Sequence, residues 1–205
     1  MKKLIVLTIA LVFVSTSAFA VISNSLHDFT SQTWTNDICA PCHTPHNAVT
    51  GAAPLWSHVE ATAASFTLYS STNSATYDMT NNALDGISLA CLSCHDGATN
   101  MDDFIGTASA TPSAVLGSGA TLIGTDLTND HPISFTYSAA GDSQSGLHPI
   151  ATVATNSSSL LVFYGSGSDQ VECATCHDVH NTAGVAKLLR YSNAGSAMCL
   201  DCHNK

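Results

Sequence analysis

Eight cysteines stand in this chain, and all eight fall inside four C-x-x-C-H motifs: Cys39–His43, Cys91–His95, Cys173–His177 and Cys199–His203. C-x-x-C-H is the attachment signature of a c-type haem. Cysteines at i and i+3 and a histidine at i+4 share one face of a helical turn. Two sulfurs can then take the porphyrin vinyls while the imidazole reaches the iron from the same side. Cys39, Cys42, Cys91, Cys94, Cys173, Cys176, Cys199 and Cys202 are therefore expected to hold four covalent haem c groups. His43, His95, His177 and His203 are the expected proximal ligands.

Two other uses of cysteine compete with this. Cys173–Cys176 and Cys199–Cys202 stand at about the spacing of a zinc ribbon. Zinc does not require a histidine directly after each second cysteine, and all four pairs have one. Four disulfides would suit an exported chain, but they too leave the histidines unexplained.

Each haem iron has a second axial position. Of the ten histidines, six lie outside the motifs: His27, His46, His58, His131, His148 and His180. Methionine, the other common ligand, is represented after the leader by Met79, Met101 and Met198, and Met198 abuts Cys199. The numbers favour histidine and hence low-potential haems. His46 lies three residues after His43, and His180 three after His177. Each thus shares a helix face with its neighbour, whereas the two ligands of one iron sit on opposite faces of the ring. His46 and His180 should each serve an adjacent haem, the one on His203 being a partner within reach of His180. His131 is followed by Pro132, which favours extended backbone at the histidine. His58 follows Leu55-Trp56-Ser57, and His27 lies close to the expected mature terminus. His148, before Pro149, is the least favoured.

The elements that must position these residues are modest. Asp37 and Ser88 stand where helix caps belong for the first two motifs. Val59–Ala64 reads as a short helix, and Ile133–Tyr137 alternates as a strand should. Residues 98–170 are rich in Gly, Ser, Thr and Ala and promise at most small two-stranded pieces. The expectation is a haem-cored, mostly irregular chain with short α-helices at the C-x-x-C-H motifs and minimal β structure. Large aliphatic residues are too few to offset chain entropy alone. An internal repeat is visible: Cys39–Asn47 matches Cys173–Asn181, each followed by a Tyr-Ser pair (Tyr69-Ser70, Tyr191-Ser192) and a Cys-Leu-x-Cys-His.

The first twenty residues read as a secretory leader. Lys2 and Lys3 are charged, Leu4–Val14 is apolar but too short to span a bilayer, and Ser17–Ala20 offers a cleavage site. Residues 21–205 would form a single four-haem domain. Removing Lys2 and Lys3 leaves three basic residues against fifteen acidic ones, a formal charge of −12. Nucleic acid and anionic lipid are excluded as partners on that ground. Lys187 and Arg190 are the cations nearest the last motifs and could pair with haem propionates. No stretch after the leader is apolar enough to span a membrane. Export, to the cell surface or beyond, with the periplasm as the alternative, agrees with haem attachment outside the cytoplasm.

Cys-His-Thr-Pro-His-Asn, Leu-Trp-Ser-His, Cys-Leu-Ser-Cys-His-Asp-Gly, Asp-His-Pro-Ile-Ser-Phe and Cys-His-Asp-Val-His-Asn, in this order, resemble the doubled-CxxCH multihaem cytochromes c. Size and motif order are most similar to the four-haem extracellular outer-membrane cytochrome E type of metal-reducing bacteria. The resemblance implies bis-histidine haems, little regular secondary structure, self-association into filaments with a continuous haem chain, and a histidine ligand given across the subunit interface. Carried over residue by residue, it makes His27, His46, His58, His131 and His180 the distal candidates, five for four places. The implied function is electron transfer to redox partner proteins or extracellular acceptors, not catalysis. A monomeric periplasmic shuttle and a multihaem reductase with an open haem site are the alternatives.

Overall fold

The structure, a computed structural model, describes residues 22–50, 53–84, 86–107, 110–119, 121–144 and 146–204. The expected leader and its cleavage site lie outside them.

Regular structure is sparse. Among the described residues four short helices, α1 (Gly86–His95), α2 (Ile150–Asn156), α3 (Cys173–Cys176) and α4 (Ala197–Cys202), carry or flank the last three motifs. One small antiparallel sheet has the order β1 (Thr80–Asn81), β2 (Phe135–Thr136), β3 (Gln170–Val171). The rest is 3-10 turns, bends and isolated bridges. Among the described residues no helix is long and apolar enough to cross a membrane.

Local chemistry explains each departure from expectation. At the first motif Asp37 does cap: its Oδ1 accepts from the amides of Cys39 at 2.7 Å and Ala40 at 3.0 Å. The helix stops after one turn, closed by the amides of Cys42 and His43 on the Cys39 carbonyl; Pro45 just beyond disfavours helical backbone at Thr44. Ser88 is not a cap but lies inside α1, fully buried, with its hydroxyl on the Glu172 carboxylate. Val59–Ala64 forms only the 3-10 turn Ala63–Ser65. The strand expected over Ile133–Tyr137 narrows to Phe135–Thr136, because Pro132 lacks a donor and Ser134 sits at φ +53°. Helix α2 was hidden in the Ser/Thr-rich stretch; its Ile, Thr and Val residues are weak helix formers, and it persists because Val153 is fully buried.

Two apolar clusters form. One joins Phe135, Tyr137, Val153, Leu161, Val171 and Met198, tying the sheet to α2 and α4. The other gathers Ala61, Leu84, Leu89, Leu92 and Leu127 around α1. Met198 is therefore a core residue, and Met79 packs against the same cluster.

Candidate haem sites

The two halves of the repeat fold alike, in more detail than the motifs require. His43 Nδ1 pairs with the Pro54 carbonyl at 2.8 Å, and His177 Nδ1 with the Lys187 carbonyl at 3.0 Å. The amide of Thr44 donates to the Leu55 carbonyl, and that of Asp178 to the Leu188 carbonyl. The amide of Ser57 meets the Cys42 carbonyl as that of Arg190 meets Cys176. Leu55 and Leu188 both hold left-handed backbone, φ +56° and +55°, as do Asn47 and Asn181, φ +58° and +52°. A strap after each motif thus fixes its proximal imidazole. This register places Tyr191 opposite His58, not opposite Tyr69. Tyr69 stacks edge-on with Tyr77, whereas the Tyr191 hydroxyl donates to Asp201, so the two Tyr-Ser pairs are not equivalent.

A metal–imidazole bond is about 2.0 Å and the ring centre lies about 1.1 Å behind the nitrogen, so two imidazoles on opposite faces of one metal have centroids about 6.3 Å apart. Three histidine pairs meet that separation. His43 and His180 stand 6.1 Å apart and nearly parallel, at 11°. His27 and His95 stand 6.0 Å apart at 52°. His131 and His203 stand 6.4 Å apart at 79°. Each pair joins one C-x-x-C-H histidine to one histidine outside the motifs. Among the described residues His177 has no such ring partner.

The second nitrogen of three of these six rings, His43, His95 and His131, is committed as ligation favours. A metal-bound histidine gives its other N–H to a carbonyl or carboxylate, which fixes the tautomer and the ring orientation. Besides His43 and His177, His95 Nδ1 pairs with the Thr121 carbonyl at 2.7 Å and His131 Nδ1 with the Pro132 carbonyl at 2.9 Å. His180 Nδ1 lies 3.9 Å from the Asp178 carboxylate. His27 is held neutral, its pKa lowered to about 4 by burial and by the neighbouring His95; its Nδ1 is buried without a partner.

The remaining histidines differ among themselves. His58 is 1% exposed, with Nδ1 on the Val59 carbonyl at 2.6 Å and Nε2 3.7 Å from Cys94 Sγ. Its ring neighbour is Trp56, not another imidazole. His46 is exposed. His148 is tied through its backbone to Cys202, its amide donating to that carbonyl at 2.8 Å. His180 stands with His43, not with His203 as its position in the tail suggested.

None of the eight cysteines is in a disulfide, and their neighbours order the motifs. Burial, with Cys42 beside it, pushes Cys94 up to about 12. Cys91 and Cys173 share a hydrogen bond between their thiols, which raises the first and lowers the second. Burial pushes Cys202 up to about 12, with Cys176 the next cause. First motif meets second, second meets third, third meets fourth. At the central junction the Glu172 carboxylate, 5% exposed, accepts from Ser88 and, at 2.9 Å, from Ser134, while Ser88 Oγ accepts from the Cys173 amide at 3.0 Å. Sequence reading missed both this junction and the straps. The shared leucines at 55 and 188 were the visible trace of the straps.

The polypeptide fits the group its motifs imply. Beyond the ring spacings, Trp56 Nε1 is buried without an acceptor, which an anionic group such as a haem propionate would supply. Arg190 is also engaged within the polypeptide: Nε donates to the Ala174 carbonyl at 2.7 Å and Nη2 to the Tyr164 hydroxyl at 2.9 Å. Burial raises the Asp178 carboxyl, but hydrogen bonds from Thr182 and the His180 amide, with Arg190 nearby, outweigh it and hold it below its ordinary value.

A family model described as the doubled CXXCH motif matches residues 167–205, covering β3, α3, α4 and the last two motifs. No curated protein matches the chain. The doubled motif is consistent with the multihaem c-type cytochromes and indicates covalent haem c and electron transfer.

Proposed function

We propose that this chain is an exported four-haem electron carrier, each haem held between two histidines, that assembles with copies of itself into an extracellular conducting filament. Bound haem supplies the one-electron Fe(III)/Fe(II) couple; the chain supplies attachment, axial ligands and spacing. The observation that carries the reading is the set of three imidazole pairs at 6.0–6.4 Å, each uniting a motif histidine with a distant one.

The ligand pairs follow: His43 with His180, His95 with His27, and His203 with His131. The second haem of each half then draws its distal ligand from the segment before that half, His27 before Cys39 and His131 before Cys173. The repeat assigns the last pair. His180, three residues past His177, crosses to His43; His46, three past His43, crosses to His177. His58 and His148 are left as non-ligands. The filament is supported by the resemblance to cytochromes of the outer-membrane E type and by a surface with few charges and many small polar groups.

Intact-mass measurement of the purified protein is expected to show four haem additions per chain, and fewer would overturn the count. Negative-stain microscopy is expected to show filaments; small monodisperse particles at every concentration and salt would leave the monomeric shuttle. A second reading has one observation behind it. Among the described residues His177 has no imidazole partner, which favours an open coordination position there and with it reductase chemistry. A spectrum recorded under CO separates the two: no CO-bound species is expected, and a stoichiometric one would favour the open site.

A further inference from the structure

We propose that Asp178 makes the haem held at Cys39–His43 the more reducing member of the two repeat-related haems, by placing a carboxylate beside the ring of His180 where the matching turn has Thr44. The inference rests on the ligand pairs given above.

The two turns are the same device. In one, the His180 amide donates to Asp178 Oδ1 at 3.0 Å. In the other, the His46 amide reaches Thr44 Oγ1 at 3.4 Å, and that hydroxyl donates to the His46 carbonyl at 2.8 Å. A neutral hydroxyl holds the turn at Thr44, so the charge at Asp178 is more than the turn requires. Asp178 accepts from the Thr182 amide at 3.0 Å and from its hydroxyl, which fixes the carboxylate in place. From there Oδ1 stands 3.9 Å from His180 Nδ1.

The other oriented rings face neutral groups: His43, His95, His131 and His177 each set Nδ1 on a main-chain carbonyl. A carboxylate behind a metal-bound imidazole raises its basicity. A more basic ligand and a nearby negative charge both favour the ferric over the ferrous iron. No proton is transferred; one electron is harder to add. Arg190 is the cation that faces Asp178. Its guanidinium is engaged by Ala174 and Tyr164, so it tempers the carboxylate without capping it. The two haems would otherwise be near twins, and the asymmetry gives the pair a downhill direction.

The test is a redox titration of the holoprotein at fixed pH, followed haem by haem through NMR haem-methyl signals. His180→Met marks the haem that His180 ligates by its changed ligation signature. Asp178→Asn is expected to raise the potential of that haem alone, changing its oxidised-to-reduced ratio at a set potential about tenfold. Asp178→Glu is expected to restore most of the shift, with unchanged far-UV CD excluding misfolding. Thr44→Asp is expected to lower the haem on His177. A marked haem that does not move in Asp178→Asn, four haems that move together, or no downward shift in Thr44→Asp would each overturn the proposal. If His180→Met alters no haem's ligation, the ligand pairing itself has failed, and this inference with it.

Discussion

A metal-bound imidazole usually gives its other N–H to a carbonyl or carboxylate, and His43, His95, His131 and His177 already set Nδ1 on main-chain carbonyls before any metal is considered. Spacing alone revealed the motif histidines, because covalent attachment fixes Cys, Cys and His within five residues. The distal candidates were legible only as a set, since the rings they stand beside come from far along the chain. Face geometry pointed His180 away from its own motif and sequence distance pointed it to His203, whereas the fold sets its ring beside that of His43. His46 and His58 are the pair to test. His46→Ala is expected to leave one haem of four five-coordinate, visible as a high-spin signal and as one equivalent of bound CO. His58→Ala is expected to leave all four low-spin. It opens a cavity at a residue 1% exposed and so lowers stability by about 2–4 kcal/mol. The reverse pattern would reassign the distal ligand of His177 to His58.

Elements in this protein are short because their work is local. A C-x-x-C-H turn needs only enough helix to align two sulfurs and an imidazole, and Cys39–His43 makes do with one turn. Where a longer helix forms, packing explains it: α1 buries Leu89 and Leu92 in an apolar cluster. Composition concealed α2, and it concealed the straps because their role is played by main-chain carbonyls, which any sequence provides. Glu172 is the polar counterpart of the apolar clusters. Its carboxylate binds Ser88 of α1 and Ser134 beside β2, at the start of α3. Glu172→Ala is expected to leave two buried hydroxyls without their acceptor and to lower stability by about 1–3 kcal/mol, read as a shift in denaturant midpoint. Glu172→Gln, which keeps one acceptor, is expected to cost less. Equal stability of Glu172→Ala and the parent would show that the junction is not held there.

At the scale of the whole molecule, the polypeptide alone is thinly cored. Its two apolar clusters hold six and five buried residues, and residues 22–58 contain one 3-10 turn as their sole helical element among the described residues. Side chains facing the motifs must otherwise find cover from the haems. Cys173→Ser combined with Cys176→Ser, which blocks attachment at the central junction, is expected to lose most far-UV CD structure, and a native-like spectrum would refute the dependence on haem.

Charge bears most on the assembly proposed for the whole chain. On the reading that residues 1–20 are a removed leader, the protein carries a formal −12, to which haem propionates would add. Copies therefore repel at a distance before their polar surfaces can meet. Screening reaches about 30 Å at 0.01 M salt but only about 8 Å at 0.15 M. The repulsion between like-charged copies should thus weaken across that range, while contacts made on touching are little affected. The concentration at which filaments first appear by negative stain is expected to fall as salt rises from 0.01 to 0.15 M. A threshold that rises with salt would mean that opposite charges meet at the interface. The three basic residues outside the expected leader, Lys187, Arg190 and Lys205, would then be the groups to substitute first.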